Sequence, residues 1–431
     1  MQRTKNCMQR LALCVAVLAT GAAAQNAGAG APPAAMEPGA RSSFVSTGVS
    51  FSSTFDDNIF NTPGDSGKIL DELVTINPHI QLQMDRPLTN WLVNYAPSFS
   101  FSQNAPQYST NSELLSNTFS HKFTPRWNTS LFGDFSISTT GYDQLQAAGA
   151  NTNVPLAQRP NGSLLVPGIR RQQSVSGGDV TYALDKHSNL TMGGSYTSSS
   201  FGQEGTAVNL TDTASYGGHM GYTHQRSATN TLGMDYSIGR ITANNGSFDM
   251  LSHKVSLTTG FTLSAAQHLS LFAGPEISQS SGVIPFGGGT ADFTSVSWTA
   301  GGDYTLLAGK NRIDLNAIRQ VSDGAGVAPA VRLTSATLTM EHPVARLWTV
   351  NVSGQYALND PLSSSILQRR YQFWSAEAGV TRKFSSGMSI SVGYWRTQQN
   401  GILTALLPPG NINHNRAVVT VAYDFMHPLG R

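Results

Sequence analysis

The chain has 431 residues, of which 12% are charged, and its formal net charge is +2. That charged fraction is about half the usual value for a soluble domain, and so even a balance gives no electrostatic basis for a nucleic-acid partner. Both cysteines, Cys7 and Cys14, fall in the first 24 residues, so the rest of the chain has no disulfide and no thiolate metal site.

The first segment, MQRTKNCMQRLALCVAVLATGAAA, places Arg3, Lys5 and Arg10 before the apolar run Leu11 to Leu18 and ends on an A-x-A signal. It reads as a cleaved signal peptide over residues 1–24, too short in its apolar part to span a membrane as a helix. Its loss removes three of the 27 bases and none of the 25 acids, so the mature chain carries 24 − 25 = −1. Residues 25–42 are rich in Ala, Gly and Pro and read as a flexible periplasmic tether.

From residue 43 to 431 the chain keeps one character, alternating segments of about 10 to 13 residues with no helical period. The predicted strands lie near 43–55, 72–85, 91–103, 113–123, 127–138, 173–184, 190–201, 212–224 and 231–242. They continue near 251–263, 269–278, 294–306, 311–322, 333–342, 347–358, 372–384, 388–398 and 416–425. Tight connections such as DRPLTN, TPRWN and LAGKN alternate with long ones such as FDDNIFNTPGDSGKI and the stretch 139–172. Short turns at one end and long loops at the other are the signature of an outer-membrane barrel.

The second and third segments form a hairpin, LVTINPHIQLQMDRPLTNWLVNYAPSFSFSQ. Val74, Ile76, Ile80, Leu82 and Met84 share a face with Trp91, Val93, Tyr95, Phe99 and Phe101, and the other face is almost wholly uncharged polar. Because an open sheet edge is not tolerated in hydrocarbon, the expectation is an all-β, transmembrane, antiparallel up-and-down barrel of 16 to 18 strands. Its apolar face meets lipid, its polar face lines a wet interior, its short turns are periplasmic and its long loops extracellular. Paired residues in this hairpin sum to 175, which sets Pro78 opposite Pro97. The expected arrangement is a non-hydrogen-bonded pair, because proline has no ladder donor.

Trp91, Trp127 and Trp348 each follow a tight turn, whereas Trp298 and Trp374 open strands that descend from long loops. They are the candidate aromatic girdles at headgroup depth. Strand parity turns Asp134, Asp179, Asp235, Glu276, Asp303, Asp314 and Glu377 inward, with Lys254 as the single comparable mid-strand base. These eight are the candidate pore-lining residues, and an acidic lining favours cations. Arg159, Arg170, Arg171, Arg369 and Arg370 stand in loops or at strand ends, and His79 and His121 are lumen or rim candidates.

No G-x-S-x-G, H-E-x-x-H, P-loop or paired-cysteine motif is present. No catalytic residue, metal or cofactor is therefore expected. Asp56-Asp57-Asn58 reads as a turn, since it lacks the spaced oxygen ligands of a calcium loop.

The first strand, VSTGVSFSSTF running into Asp56-Asp57-Asn58-Ile59-Phe60, and the closing strand, AVVTVAYDF, resemble those of bacterial outer-membrane β-barrels. The closer resemblance is to β-barrel porins found beside exopolysaccharide systems. The chain departs from that pattern at its end, where Phe425 is followed by MHPLGR. The strand number and the polar lumen point to passive diffusion of small hydrophilic solutes through the cell outer membrane, and the alternative is a barrel for exopolysaccharide export or surface anchoring. The implied partners are outer-membrane lipids and lipopolysaccharide, the barrel assembly machinery, and small solutes or polysaccharide.

Overall fold

A computed structural model describes residues 43–59, 68–104, 109–138, 169–202, 210–243, 246–283, 290–326, 328–362, 370–384, 387–401 and 411–429. The proposed signal peptide, the tether, residues 139–168, Arg159 and Arg369 lie outside them.

Eighteen strands run in chain order. The first nine are β1 (Phe44–Asp56), β2 (Asp71–Arg86), β3 (Thr89–Ser102), β4 (Thr110–Lys122), β5 (Trp127–Ser138), β6 (Arg171–Ala183), β7 (Ser188–Phe201), β8 (Thr213–Ser227) and β9 (Asn230–Ala243). The second nine are β10 (Phe248–Ser264), β11 (Gln267–Val283), β12 (Thr290–Ala308), β13 (Asn311–Gly324), β14 (Ala328–Ala345), β15 (Trp348–Pro361), β16 (Tyr371–Lys383), β17 (Met388–Asn400) and β18 (Ile412–Pro428). Each pairs antiparallel with its sequence neighbour, and β1 pairs with β18, closing one 18-stranded barrel. The expected fold class and the upper strand number are thus observed.

Alternation along each strand sorts the side chains, because successive residues point to opposite faces. On β9, Leu232, Met234, Tyr236 and Ile238 are exposed outside, while Gly233, Asp235, Ser237 and Gly239 face inward and are more covered. On β1, Phe51 and Phe55 are exposed, while Ser52, Thr54 and Asp56 are buried. The usual soluble arrangement is inverted, with large apolar side chains forming the exposed belt and polar ones the buried interior. That belt is compatible with hydrocarbon, and the closed ladder satisfies the backbone groups that hydrocarbon cannot.

The turns at one end are tight. In the β6–β7 turn the Asp185 carboxylate accepts the His187 N–H at 2.6 Å, which helps hold it below its ordinary pKa. The opening hairpin keeps the predicted register, from Leu73–Ser102 through Arg86–Thr89. Its ladder, however, skips three pairs between Ile76–Phe99 and Ile80–Tyr95, centred on Pro78 and Pro97. The β1–β2 ladder at Pro78 and the β3–β4 ladder at Pro97 continue unbroken. This is the pattern of two prolines facing each other at a hydrogen-bonded position, where each lacks the donor its partner would accept. The expected non-hydrogen-bonded pairing is therefore corrected. Pro275 opens a similar gap between Lys254–Glu276 and Leu257–Ala273 on β10–β11.

Candidate functional site

The inward face carries the polar chemistry. Asp134 stands opposite Ser116, and Asp235 lies between Gly221 and Ser256. Asp303 accepts a 3.4 Å hydrogen bond from Ser270, and Ser353 donates to Glu377 at 2.9 Å. Arg312 Nε lies 2.6 Å from Asp314, which also accepts the Thr305 hydroxyl at 2.9 Å. Directly paired positions form one row from β6 to β12: Asp179, Gly193, His219, Ser237, Lys254, Glu276 and Ser297. All eight sequence candidates share the parity of the buried polar face.

Lys254 is not alone there, because Arg416 lies inside β18 with the same parity, which corrects the expectation of a single mid-strand base. At strand starts Arg312 shares that parity too, as does Arg171, which is 4% exposed and lies over the Phe201 ring. Periodicity does not reveal Arg416, because β18 begins at Ile412, four residues before the predicted strand, so a residue read as a strand end is an interior position.

Two ion pairs cross over an intervening strand through a glycine. Asp179 of β6 reaches His219 of β8 at 3.3 Å above Gly193 of β7. His79 of β2 reaches Asp424 of β18 at 2.9 Å above Gly48 of β1. A Cβ on Gly193 would meet both ion-pair partners, and a Cβ on Gly48 would lie 2.5 Å from each of His79 and Asp424. Glycine is what lets these carboxylates and imidazoles meet. His79 is thus an inward residue, whereas His121 lies on the outward face at the turn end, where its Nδ1 pairs with the Thr89 hydroxyl at 2.8 Å.

At the loop end of the β1–β18 seam, Asp56 accepts from Arg416 Nε at 2.7 Å and from His414, and also from the Asn58 N–H at 2.9 Å. Asp57 accepts from the Asn415 backbone and side chain at 2.8 and 2.6 Å. Asp56, Asp57 and His414 are close enough to serve as metal ligands. The guanidinium of Arg416 supplies the positive charge at that carboxylate cluster, and the Asx geometry of Asp56 fits the predicted turn.

The largest departure from the sequence reading is at β13–β14. The β12–β13 ladder stops at Ala300–Arg319, although β12 continues to Thr290 and β13 to Gly324. Above that point the β13–β14 hairpin turns into the barrel. One side packs Ala330 and Val321 against Ile241, Phe248 and Met250 of β9 and β10. The other packs Ala328, Val331 and Leu333 against Ala357 and Phe373 of β15 and β16. Asp323 accepts from Thr213 of β8 at 3.5 Å, Tyr371 donates to the Gly324 carbonyl at 3.4 Å, and the Thr211 N–H to the Gly326 carbonyl at 2.8 Å. At the tip Ala325 and Gly326 take positive φ of 50° and 91°. Gly326 sits where a Cβ would lie 2.7 Å from the Phe201 ring. The hairpin therefore spans the interior from β8–β10 to β15–β16.

The sequence signal for it is compositional. Between Asp323 and Arg332 the sequence is GAGVAPAV, uncharged and small, unlike a solvated surface loop.

Trp91, Trp127, Trp298, Trp348 and Trp374 all share the outward parity. Three are covered by arginines of the next strand, at 4.4 Å for Arg319 over Trp298, 5.3 Å for Arg382 over Trp348 and 5.9 Å for Arg396 over Trp374. Trp127 packs on Tyr182 at 4.6 Å, and Trp91 Nε1 donates to Asn117 at 2.9 Å.

Fold and face inversion together define a closed, membrane-type β-barrel with a polar interior. No protein-family model and no curated protein matches the chain. Among solved structures it is similar to OpdO of Pseudomonas aeruginosa, at 9% identity and TM-score 0.41, over 89% of this chain and 97% of that one. It is also similar to OpdK of that organism with vanillate, at 9% identity and TM-score 0.41, over 89% and 99%. A third similarity is to OccK2 of that organism in complex with glucuronate, at 9% identity and TM-score 0.39, over 90% and 97%.

Proposed function

We propose that the chain is an outer-membrane channel for passive diffusion of small hydrophilic solutes, with a lumen narrowed by its own β13–β14 hairpin. The observation that carries this reading is the inverted barrel, since 18 strands closed around a polar face enclose a space wide enough for an aqueous path. The apolar belt faces lipid, and the outward tryptophans form girdles at the two interfaces. The tight turns lie in the periplasm and the long connections outside.

We infer further that the lining favours cations. Asp134, Asp179, Asp235, Glu276, Asp303, Asp314 and Glu377 are joined on the inward face by Asp56, Asp71, Glu341 and Asp424. The inward bases neutralise part of that charge, with Arg416 held by Asp56 and Arg312 by Asp314. The remaining excess of acids raises the local cation concentration.

Planar-bilayer recording with the purified protein tests both statements. The expected result is stable conductance, with a reversal potential of cation sign in a salt gradient that shrinks when Asp134 and Glu276 become Asn and Gln. Anion preference would show that arginines govern the path. Complete absence of conductance would contradict the channel and favour a barrel for polysaccharide export or anchoring.

A further inference from the structure

The β12–β13 seam is built to close. Continuing its register, in which partners sum to 619 from Ala300–Arg319 through Asp303–Asn316, would pair Thr299 with Gln320, Trp298 with Val321, Ser297 with Ser322, Val296 with Asp323 and Ser295 with Gly324. All ten residues are in strands, yet none of these pairs forms. Instead, a side chain occupies a backbone group that such a ladder would use. The Thr299 hydroxyl donates to the Arg319 carbonyl at 2.9 Å, at the last pair that forms, so that carbonyl faces β12. Val321, two residues on and therefore pointing to the same side, gives its N–H to the Glu276 carboxylate of β11 at 3.3 Å.

The two faces of the hairpin also differ in what a movement would cost. On the β15–β16 side Val331 and Leu333 lie in the β14–β15 ladder, which runs unbroken to Val331–Pro361, whereas Ala328 lies beyond its end and Phe373 and Tyr371, which donates to the Gly324 carbonyl, belong to β16. The ladder stays formed in a movement and the contacts to β16 shift. The opposite side is held by the 3.5 Å Thr213–Asp323 bond, the charge of Asp323 beside buried Arg171, the Gly326 backbone contact and a small cluster around Ala330. Ala325, a non-glycine residue at φ 50°, adds local strain at the tip.

The split also begins beside Trp298 and Arg319. In the channel reading that is the loop-end girdle, so the unpaired edge of β12 stands at headgroup height, where water can solvate it, and not in hydrocarbon.

We propose that the β13–β14 hairpin is a gate. In its closed state, the one in this structure, it lies across the lumen. In a second state it swings to the wall, exchanges the Val321–Glu276 bond for five ladder pairs with β12, and widens the path. The consequence for solute flow rests on the channel reading, whereas the movement itself does not.

One shared cysteine separates the two states. In a background with Cys7 and Cys14 replaced by Ser, Asp323→Cys is combined either with Thr213→Cys, its neighbour now, or with Val296→Cys, its partner in the continued register. Heat-modifiable migration on gels checks that each variant folds, and Gly326→Leu, which pushes the tip off Phe201 without cysteines, serves as an independent opening variant. Oxidation is expected to cross-link both pairs, lowering conductance several-fold for Thr213/Asp323 and raising it several-fold for Val296/Asp323, each reversed by reductant. Gly326→Leu is expected to raise conductance. Cross-linking of Thr213/Asp323 alone, with Gly326→Leu unchanged from the parent, would overturn the gate. Cross-linking of both pairs in a protein that never conducts would uphold the movement and refute the channel.

Discussion

Two seams of this barrel make a useful contrast. The β1–β18 seam joins the first and last strands, which nothing in the sequence holds together, and it is the better fastened of the two. Thirteen consecutive pairs run from Phe44–Pro428 to Asp56–Arg416. Buried Asp56, His414 and Arg416 clasp its loop end, and His79 and Asp424 cross it over Gly48. The β12–β13 seam joins neighbours linked by a tight turn, yet pairs only nine residues and then parts. Chain connectivity brings β12 and β13 together at no great entropic cost, so their upper halves are left to do something else. The seam without connectivity needs side chains to close it.

The contrast is sharpest in variants of the clasp. Asp56→Ala leaves Arg416 and His414 buried without their carboxylate, and removing one partner of a buried ion pair costs about 3–5 kcal/mol. Urea unfolding in detergent should show a loss of that size, with β1 and β18 separating first. A loss under about 1 kcal/mol would mean that the clasp is not what closes the barrel. Leu257 is 68% exposed on the outward face of β10. Leu257→Lys should cost about 2–4 kcal/mol in bilayers, the value for a base near mid-membrane, and far less if that face meets water. Gly48→Val places a side chain against His79, Asp424 and the Tyr423 carbonyl. Overpacking of this kind costs about 1–3 kcal/mol, and the variant should also lose protection of the β1–β18 amides in hydrogen exchange. Arg319→Gln, at the foot of the open seam, removes the stack on Trp298. Its expected cost is the smallest, about 0.5–1 kcal/mol, because that seam carries little of the closure.

Much of this architecture was legible in the sequence for a simple reason. A barrel wall has period two with an apolar outside, so parity read from Phe51, Met234 or Trp298 fixes the facing of every neighbour. That is why the eighteen strands and the inward parity of residues such as Asp179 and Glu276 could be read without a structure. The predicted segment 127–138 coincides with β5, and 388–398 falls two residues short of β17. What could not be read depends on contacts between strands distant in sequence. Arg416 needed the true start of β18. The Pro78–Pro97 gap depends on which pairs of the ladder are hydrogen-bonded, and alternation is silent on that phase. The inturned hairpin breaks the assumption that a strand stays in the wall, and only its small-residue tip hinted at it.

The proposed channel depends on which face of the barrel meets lipid, and spin labels along one strand test this most directly. Single cysteines at residues 232 to 239 of β9 would be labelled in reconstituted vesicles and relaxed in turn by oxygen, which concentrates in lipid, and by a water-soluble nickel chelate. The inverted barrel predicts strict alternation, with Leu232, Met234, Tyr236 and Ile238 favouring oxygen and Gly233, Asp235, Ser237 and Gly239 favouring nickel. Equal accessibility along the strand, or the opposite phase, would contradict it.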